Sequence, residues 1–395
     1  MPKAVFFNLP AHGHINPSLP LVAELVKRGH KIHYFCTEAY RERVEATGAS
    51  VQIYESIQDN YFDALALDGT QPHKTAQALL DTTQQILPDL LAYSREIQAD
   101  YILYDCMCPW GYFVAKILDL PAISSASIMP LSPRILFNLQ NLRFILPTFI
   151  KGFRGLNKAG SLSRRIGKQY QVKPLLSLEI LNAPGDLIIS YSSAMYVPFS
   201  QHLPDTIKMI GWTLQENEGD EVFNHRSDRP LIYVSLGTVA NENKTFFQTC
   251  IQALGNSPYD VLITTGRRFS SDAFGVLPDN ISIRSWVPQS QVLKQASLFI
   301  THGGMNSLHD GLYCSLPLLI VPQQSEQGFN GRRVVELGAG LMLTKDQLTV
   351  AKLKSSVEQL LSDPSYTQAA RRIGDSFRSA GGIPKAADEI EQLLK

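Results

Sequence analysis

Long apolar runs and cysteines are both scarce in this 395-residue chain. No stretch approaches the ~18 apolar residues that a membrane-spanning helix needs. The start, Met1-Pro2-Lys3 followed by Ala4-Val5-Phe6-Phe7, is too short for the apolar region of a signal peptide. The cysteines number five, an odd count without the spacing of a disulfide framework, which fits a reducing compartment. We therefore expect a cytoplasmic protein.

Net charge is also absent, since Lys plus Arg and Asp plus Glu each number 36. A neutral chain has no global field that would attract nucleic acid, so we expect no nucleic-acid partner. The sequence lacks G-x-G-x-x-G, which argues against a dehydrogenase. Cys106 and Cys108 have no further ligands nearby, and no D-x-D follows a predicted strand, so we expect no metal site. Nothing in the sequence indicates the oligomeric state.

Short apolar runs alternate with helical patterns along the chain, which predicts α/β architecture with parallel sheets covered on both faces. The length suits two domains. A polar linker over 214–229 separates an N-terminal domain, 1–213, from a C-terminal domain, 230–395, that ends in a helix. The predicted strands are Lys3–Asn8, His30–Cys36, Tyr101–Tyr104, Ala122–Ser125, Leu187–Tyr191, Leu231–Leu236, Asp260–Thr264, Leu298–Thr301 and Leu318–Val321.

The first motif, Ala11-His-Gly-His14-Ile-Asn16-Pro17, follows the first predicted strand. Asn16 is a good helix cap and Pro17 suits the first helical position, so we predict a helix from here to Lys27. The positive end of its dipole favours a neutral imidazole on His14, as a general base requires. The alternative is a turn in which the histidines only form local hydrogen bonds.

Asp105 ends a strand that we expect beside the first one. From there its carboxylate can bond the second ring nitrogen of His14 and orient the ring, like the third member of a catalytic triad. The alternative is an aspartate that caps the following helix or shapes a turn.

The third motif, Thr301-His302-Gly303-Gly304-Met305-Asn306-Ser307, connects a predicted strand to a predicted helix. Glycines allow backbone N–H groups to approach an anion, and a helix start offers unpaired donors and a favourable dipole. His302 and Ser307 add side-chain donors, and Asp310 can accept from ribose hydroxyls. The motif predicts a diphosphate site. A tight glycine turn is the alternative.

Three smaller features support a nucleotide-sugar site. Ser235-Leu-Gly237-Thr238 ends the first strand of the second half, where a hydroxyl and bare backbone can meet phosphates. Trp286-Val287-Pro-Gln289 offers an aromatic surface for a flat base, unless the tryptophan is packed in the core. Glu326 and Gln327 offer groups suited to sugar hydroxyls, or simply an acidic first turn of a helix.

Together these motifs resemble glycosyltransferase family 1, the UDP-glycosyltransferase superfamily, and most of all its bacterial macrolide and flavonoid glucosyltransferases. The similarity runs from Ala11–Pro17 to Ala380–Ile390, and Trp286–Gln327 is similar to the family's donor box. It implies the GT-B fold, with two Rossmann-like doubly wound domains facing across a cleft. Met305 and Asp310 stand where plant members carry Trp and Glu.

The resemblance also implies roles for single residues. His14 matches the family's catalytic base and Asp105 its orienting carboxylate, while Asn16 matches a position that reaches towards the donor. The donor-binding positions are Gly237, Thr238, Trp286, Val287, Gln289, His302, Gly303, Gly304, Asn306, Ser307, Asp310, Glu326 and Gln327. Trp286 and Val287 correspond to the uracil site, and Glu326 and Gln327 to the pair that holds the sugar hydroxyls.

The expected reaction is an inverting displacement that moves a sugar, by resemblance glucose, from a UDP-sugar to a hydroxyl of a small lipophilic or phenolic acceptor. UDP-sugar is a co-substrate, so no cofactor and no metal are expected. A UDP-sugar 2-epimerase on the same architecture is one alternative, although its additional acid–base carboxylates are not evident. A catalytically silent nucleotide-sugar-binding module is another.

One local bias is hidden by the neutral total charge. Between Asp119 and Glu179 the chain has no acidic residue, and basic and apolar residues are interleaved. This segment, 120–178, is predicted either to be a solvated helix with one packed face or to make weak contact with anionic membranes.

Overall fold

The computed structural model describes residues 1–59, 71–130, 139–215, 222–237, 243–266 and 268–395, without the side chains of 139–151, 153, 154 and 325. The chain divides into two compact units. The first comprises Met1–Gly211 with Ala380–Lys395, and the second comprises Trp212–Ser379. Within the described residues, no helix is long and apolar enough to span a membrane.

Seven parallel strands form the sheet of the first unit. They are β1 (Lys3–Phe7), β2 (Lys31–Cys36), β3 (Ser50–Ile53), β4 (Tyr101–Asp105), β5 (Ala122–Ala126), β6 (Leu187–Ser190) and β7 (Ile207–Met209). Their order in the sheet is β3-β2-β1-β4-β5-β6-β7. The chain adds strands first on one side of β1 and then on the other, so a topological switch point lies between β1 and β4. Ligands of open α/β sheets bind at such points, beyond the carboxyl ends of the strands.

Six parallel strands form the sheet of the second unit. They are β8 (Leu231–Ser235), β9 (Asp260–Thr264), β10 (Ile281–Arg284), β11 (Leu298–Thr301), β12 (Leu318–Ile320) and β13 (Gly340–Met342). Their order is β10-β9-β8-β11-β12-β13, so the corresponding switch point lies between β8 and β11. The central strands β8, β11 and β12 are buried along their whole length, as expected for strands covered by helices on both faces.

Helices connect the strands in both units. They are α1 (His12–Lys27), α2 (Arg41–Glu45), α3 (Pro72–Glu96), α4 (Pro109–Leu118), α5 (Leu139–Tyr170), α6 (Lys244–Leu254), α7 (Gln289–Leu293), α8 (Met305–Tyr313), α9 (Ser325–Glu336), α10 (Val350–Ser362), α11 (Pro364–Arg378) and α12 (Gly382–Leu393). Helices α3 and α5 approach closely, because a Cβ atom on Gly155 would lie 2.5 Å from Cδ2 of His73. Any larger residue at position 155 would therefore have to displace the His73 side chain.

Among the described residues, the structure contains every strand predicted from the sequence and four more. The additional strands are β3, β7, β10 and β13, which are the edge strands of the two sheets. Each is only three or four residues long, and each is partly exposed along its length. They therefore lack the continuous apolar run by which a buried strand is recognised.

Helix α1 begins four residues earlier than predicted. It starts at His12 with Ala11 as its N-cap, so Asn16 and Pro17 lie inside the helix rather than at its start. The first turn is closed by hydrogen bonds from the backbone N–H groups of His14 and Ile15 to the carbonyl of Ala11. The cap prediction for Asn16 was therefore wrong, and Pro17 is an internal residue of the helix.

The C-terminal helix α12 belongs to the first unit, which differs from the predicted division that assigned it to the second domain. Arg28, the C-cap of α1, holds this helix through Nη1, which lies 2.6 Å from Oδ1 of Asp388 and 3.2 Å from Oε2 of Glu391. The backbone N–H of Gly382 also donates to the carbonyl of Ile210 at 2.8 Å. In the predicted linker, 216–221 lies outside the described residues.

Candidate active site

The strand order places the carboxyl ends of β1, β4 and β5 side by side in the first unit. His14 follows β1 in the first turn of α1, Asp105 is the last residue of β4, and Ser127 immediately follows β5. Three segments far apart in sequence therefore deliver one imidazole, one carboxylate and one hydroxyl to the same edge of the sheet. The sequence predicted the first two of these groups.

These three side chains are in mutual contact. Nδ1 of His14 lies 3.0 Å from Oδ2 of Asp105 and 2.7 Å from Oγ of Ser127. The hydroxyl of Ser127 donates to Oδ2 of Asp105 at 2.7 Å. Asp105 is fully buried, whereas the His14 side chain keeps 13% of its surface exposed. Because one edge of the imidazole faces the buried pair, the ring is held in a defined orientation.

The second carboxylate oxygen of Asp105 is also bonded. Oδ1 accepts from the backbone N–H of Met107 at 2.8 Å. The neighbouring thiols of Cys106 and Cys108 are buried, and burial raises the pKa of each well above its usual range. They are therefore neutral thiols near pH 7. Among the described residues, no group of His, Cys, Asp and Glu side chains is arranged to hold a metal ion.

In the second unit, the carboxyl ends of β8 and β11 bring Gly237 and the predicted diphosphate motif together. The imidazole of His302 lies against two glycines, because a Cβ atom would lie 2.6 Å from its Cε1 at Gly237 and 2.5 Å from its Nε2 at Gly304. Gly237 and Gly303 have φ angles of +73° and +92°, which favour glycine. Burial lowers the pKa of His302 to about 4, so the ring is neutral near pH 7.

Gly304 is the N-cap of α8, and its extended backbone lets the helix start at Met305. Asn306 and Ser307 therefore occupy the first turn, where backbone N–H groups have no acceptor within the helix. The positive end of the helix dipole adds to this donor surface. The predicted helix start is thus present, with both side chains half-buried beside it. Thr238 lies outside the described residues.

Asp310, the predicted ribose acceptor, is engaged on both of its oxygens. Oδ1 accepts from Nε1 of Trp212 at 2.8 Å, and Oδ2 accepts from Nε2 of Gln289 at 2.9 Å. Burial raises the pKa of Asp310 to about 6, against the effect of these two donors. Asp310 therefore fixes the amide of Gln289, whose Oε1 also accepts from the hydroxyl of Tyr233 at 3.4 Å.

The remaining predicted donor residues differ in exposure. Trp286 leaves 53% of its surface exposed, as an aromatic platform requires, while Val287 beside it is buried. Glu326 is exposed in the first turn of α9. Gln327 is buried and forms a capping box, with Oε1 accepting from the backbone N–H groups of Gln323 at 2.8 Å and Gln324 at 3.1 Å. Its carbonyl oxygen is thus already used within the protein.

Two residues of these clusters were missed from the sequence. Ser127 follows a predicted strand by two residues, but a lone serine carries no distinctive pattern. Trp212 lies just before the predicted linker, and only the fold brings its indole to Asp310. A useful signal for Ser127 was its place after a strand that neighbours the strand of Asp105, since such positions converge at the same sheet edge.

Solved structures match this architecture. The calicheamicin glycosyltransferase CalG4 matches with a TM-score of 0.83 and 28% identity, covering 100% of this chain and 98% of that one. Together with this match, the two parallel-sheet units of the present chain and the side-chain clusters at their switch points define it as a glycosyltransferase of the GT-B fold.

Sequence relatives narrow this class. The NDP-glycosyltransferase YjiC of Bacillus licheniformis is 32% identical over 400 residues, covering 98% of this chain and 96% of the relative. The oleandomycin glycosyltransferase of Streptomyces antibioticus is 27% identical over 402 residues, covering 98% and 90%. Residues 248–393 match the family model described as Erythromycin biosynthesis protein CIII-like, C-terminal domain. The chain belongs to the UDP-glycosyltransferase superfamily, glycosyltransferase family 1.

Proposed function

We propose that this enzyme transfers glucose from UDP-glucose to a hydroxyl of a small lipophilic or phenolic acceptor, with inversion at the anomeric carbon. The observation that carries this proposal is the 3.0 Å contact between Nδ1 of His14 and Oδ2 of Asp105 at the switch point of the first sheet. A buried carboxylate on one ring nitrogen is the arrangement that makes the other nitrogen a general base. The relative named for oleandomycin supports an acceptor of the natural-product type.

In the proposed reaction, Nε2 of His14 takes the proton of the acceptor hydroxyl as its oxygen bonds to the anomeric carbon. The bond from that carbon to the β-phosphate oxygen breaks in the same step, and UDP leaves with the electron pair. The sugar acquires oxocarbenium character, as in glycoside hydrolysis. Asp105 stabilises the imidazolium that forms. An α-linked donor thereby gives a β-glycoside.

On the donor side, the diphosphate meets the first turn of α8. The N–H groups there, the neutral ring of His302 and the hydroxyl of Ser307 stabilise the charge that develops on UDP. The other diphosphate positions in this proposal are Gly237, Thr238, Gly303, Gly304 and Asn306.

Separate residues are proposed to bind the uracil, the ribose and the transferred sugar. Trp286 stacks on the uracil, with Val287 beside it, and Gln289 faces the ribose. Glu326 accepts from the sugar hydroxyls, and Gln327 offers them the second N–H of its amide, since the first donates to Oε1 of Gln324 at 3.2 Å. We assign Asn16 a donor contact only because the family resemblance implies one at this position.

The experiment is to mix the protein with UDP-glucose and a set of phenolic and macrolide alcohols, and to measure UDP release and product mass. We expect a product heavier by one hexose and an anomeric proton coupling typical of a β-glucoside. UDP release without product would contradict the transfer. Conversion of UDP-glucose to its 2-epimer would favour the epimerase instead, and binding without turnover would favour a silent module. Parallel reactions with other UDP-sugars test the preference for glucose.

A second proposal concerns where the acceptor is met. The C-terminal half of α5 buries Leu156, Leu162 and Ile166 and exposes only polar residues on its other face. That face carries Lys158, Arg164, Arg165 and Lys168, and no acidic residue lies in 120–178. We propose that it makes weak contact with anionic membranes on the cytoplasmic side, where lipophilic acceptors accumulate. The apolar residues of the predicted interface, which lie between positions 135 and 153, are outside the described side chains.

A further inference from the structure

We propose that Ser127 is a positioning residue that sets the tautomer and orientation of His14. The proposal rests on the function proposed for His14 and adds a residue that the sequence did not indicate. Ser127 is 6% exposed and directly follows β5. Its Oγ lies 2.7 Å from Nδ1 of His14 and 2.7 Å from Oδ2 of Asp105, so it bridges the two groups.

The protons of this cluster can be assigned from its geometry. Three polar atoms, Nδ1 of His14, Oδ2 of Asp105 and Oγ of Ser127, lie 2.7 to 3.0 Å from one another. An ionised carboxylate can only accept, so the Ser127 hydroxyl donates to Asp105. Nδ1 must then carry a hydrogen, because an unprotonated Nδ1 would place its lone pair against a carboxylate lone pair. The second nitrogen, Nε2, is left unprotonated, which is the form a base requires.

Ser127 contributes what Asp105 alone does not. Oδ1 of Asp105 is held by the backbone N–H of Met107 at 2.8 Å, and the hydroxyl of Ser127 holds Oδ2. With both oxygens bonded, the carboxylate cannot rotate away from the imidazole. The Ser127 oxygen also offers the Nδ1 hydrogen a second acceptor. Removing the hydroxyl would therefore loosen both the carboxylate and the ring while leaving each residue in place.

Ser125, two residues before Ser127, provides a matched control. Ser125 is 1% exposed and lies on β5, and its hydroxyl contacts that of Tyr191 at 2.8 Å rather than the histidine. Ser125→Ala and Ser127→Ala delete the same atom from equally buried sites. We expect Ser127→Ala to lower kcat roughly tenfold, the scale of a lost hydrogen bond to a charged group. Ser125→Ala should retain kcat within about twofold, as expected of a hydroxyl without catalytic contacts.

Three measurements separate positioning from general destabilisation. Ser127→Thr keeps the hydroxyl and should restore most of the lost kcat, whereas Ser127→Cys, with a weak donor, should not. Adding Ser127→Ala to His14→Ala should cause no further loss, because Ser127 acts through the histidine. Nitrogen NMR of labelled histidine should show the Nδ1–H form of His14 in the wild type and a mixture of tautomers in Ser127→Ala.

The NMR measurement does not depend on turnover, so it tests Ser127 even where the proposed transfer fails. If the wild type shows no transfer activity but Ser127→Ala still changes the tautomer of His14, the proposed function is contradicted and the role of Ser127 stands. An unchanged tautomer signal together with wild-type kcat in Ser127→Ala would overturn the inference. A further tenfold loss on top of His14→Ala would also overturn it, because Ser127 would then act independently of the ring.

Discussion

Nε2 of Gln289 donates a hydrogen bond to Oδ2 of Asp310 at 2.9 Å, while Nε1 of Trp212 donates to the other oxygen of the same half-buried carboxylate. Both oxygens of the predicted ribose acceptor are thus engaged within the protein. We propose that the Asp310 carboxylate fixes the amide of Gln289 and that this amide meets the nucleotide. An effect of Asp310 through Gln289 makes a prediction that a direct contact between Asp310 and the ribose would not make.

Asp310→Asn should weaken UDP binding through Gln289. An asparagine keeps one acceptor but turns an N–H₂ group towards one of two N–H donors, so Gln289 must flip or lose its partner. We expect a loss of about 1–3 kcal/mol in UDP binding, the cost of an unsatisfied buried donor. Calorimetry on Asp310→Asn, Gln289→Ala and the double variant measures it. The double variant should be no worse than Gln289→Ala alone, and additive losses would indicate that Asp310 binds the ribose directly.

His14→Ala should reduce kcat by ~100-fold or more, because a lost general base has an effect of this size. UDP affinity should stay near the wild-type value, since His14 lies in the first unit and the predicted diphosphate groups lie in the second. The matched control is His12→Ala, an exposed histidine that lies against Tyr40 at 5.1 Å between ring centroids. It should be mild. A variant at His14 that keeps a third of wild-type kcat would show that another group is the base.

The buried ring of His309 should make the protein less stable in acid. It packs between Trp212 and Phe377, and burial lowers its pKa from 6.5 to about 3. The folded state therefore binds this proton more weakly than the unfolded state, and the stability it contributes above pH 6.5 is lost as pH falls towards 3. Burial of His302 acts in the same direction, while the raised pKa of Asp310, about 6, acts in the opposite one.

His309→Phe isolates one of these contributions. Between pH 7 and pH 5, the free energy of unfolding should fall by about 2 kcal/mol less in the variant than in the wild type, as linkage requires for one histidine. Urea unfolding at a series of pH values measures the difference. Parallel pH profiles for the two proteins would mean that His309 titrates normally in the folded state.

Reversing the charge of Arg164 and Arg165 to Glu should abolish pelleting with anionic liposomes. The wild type should pellet at low salt and lose this binding as salt rises, because exposed charges are screened. The double variant should still glucosylate a small soluble phenol, since both arginines are exposed on α5. If the wild type does not pellet at low salt, or if the variant pellets equally, the basic face of α5 is only a solvated surface and does not bind membranes.

The central strands were predictable because each is a short, mainly apolar and mainly buried run. The edge strands β3, β7, β10 and β13 were not, since one of their sides has no neighbour and their sequences are not uniformly apolar. The start of α1 was placed at Asn16 by local capping preference. In the structure the helix instead starts at His12, where the backbone N–H groups of His14 and Ile15 donate to the carbonyl of Ala11.

The site residues also fall into two groups, those predictable from local sequence and those brought together only by the fold. His14 and Asp105 stand next to strand ends in the sequence, and parallel strands present such ends at one edge of the sheet. Their chemistry and the glycine-rich start of α8 were therefore determined locally, by residue type and spacing. Ser127 beside His14, Trp212 on Asp310 and α12 on Arg28 were decided only by the fold. Each of these contacts joins residues separated by about a hundred positions or more. A local sequence pattern does not determine which polar groups will face one another once the chain is packed.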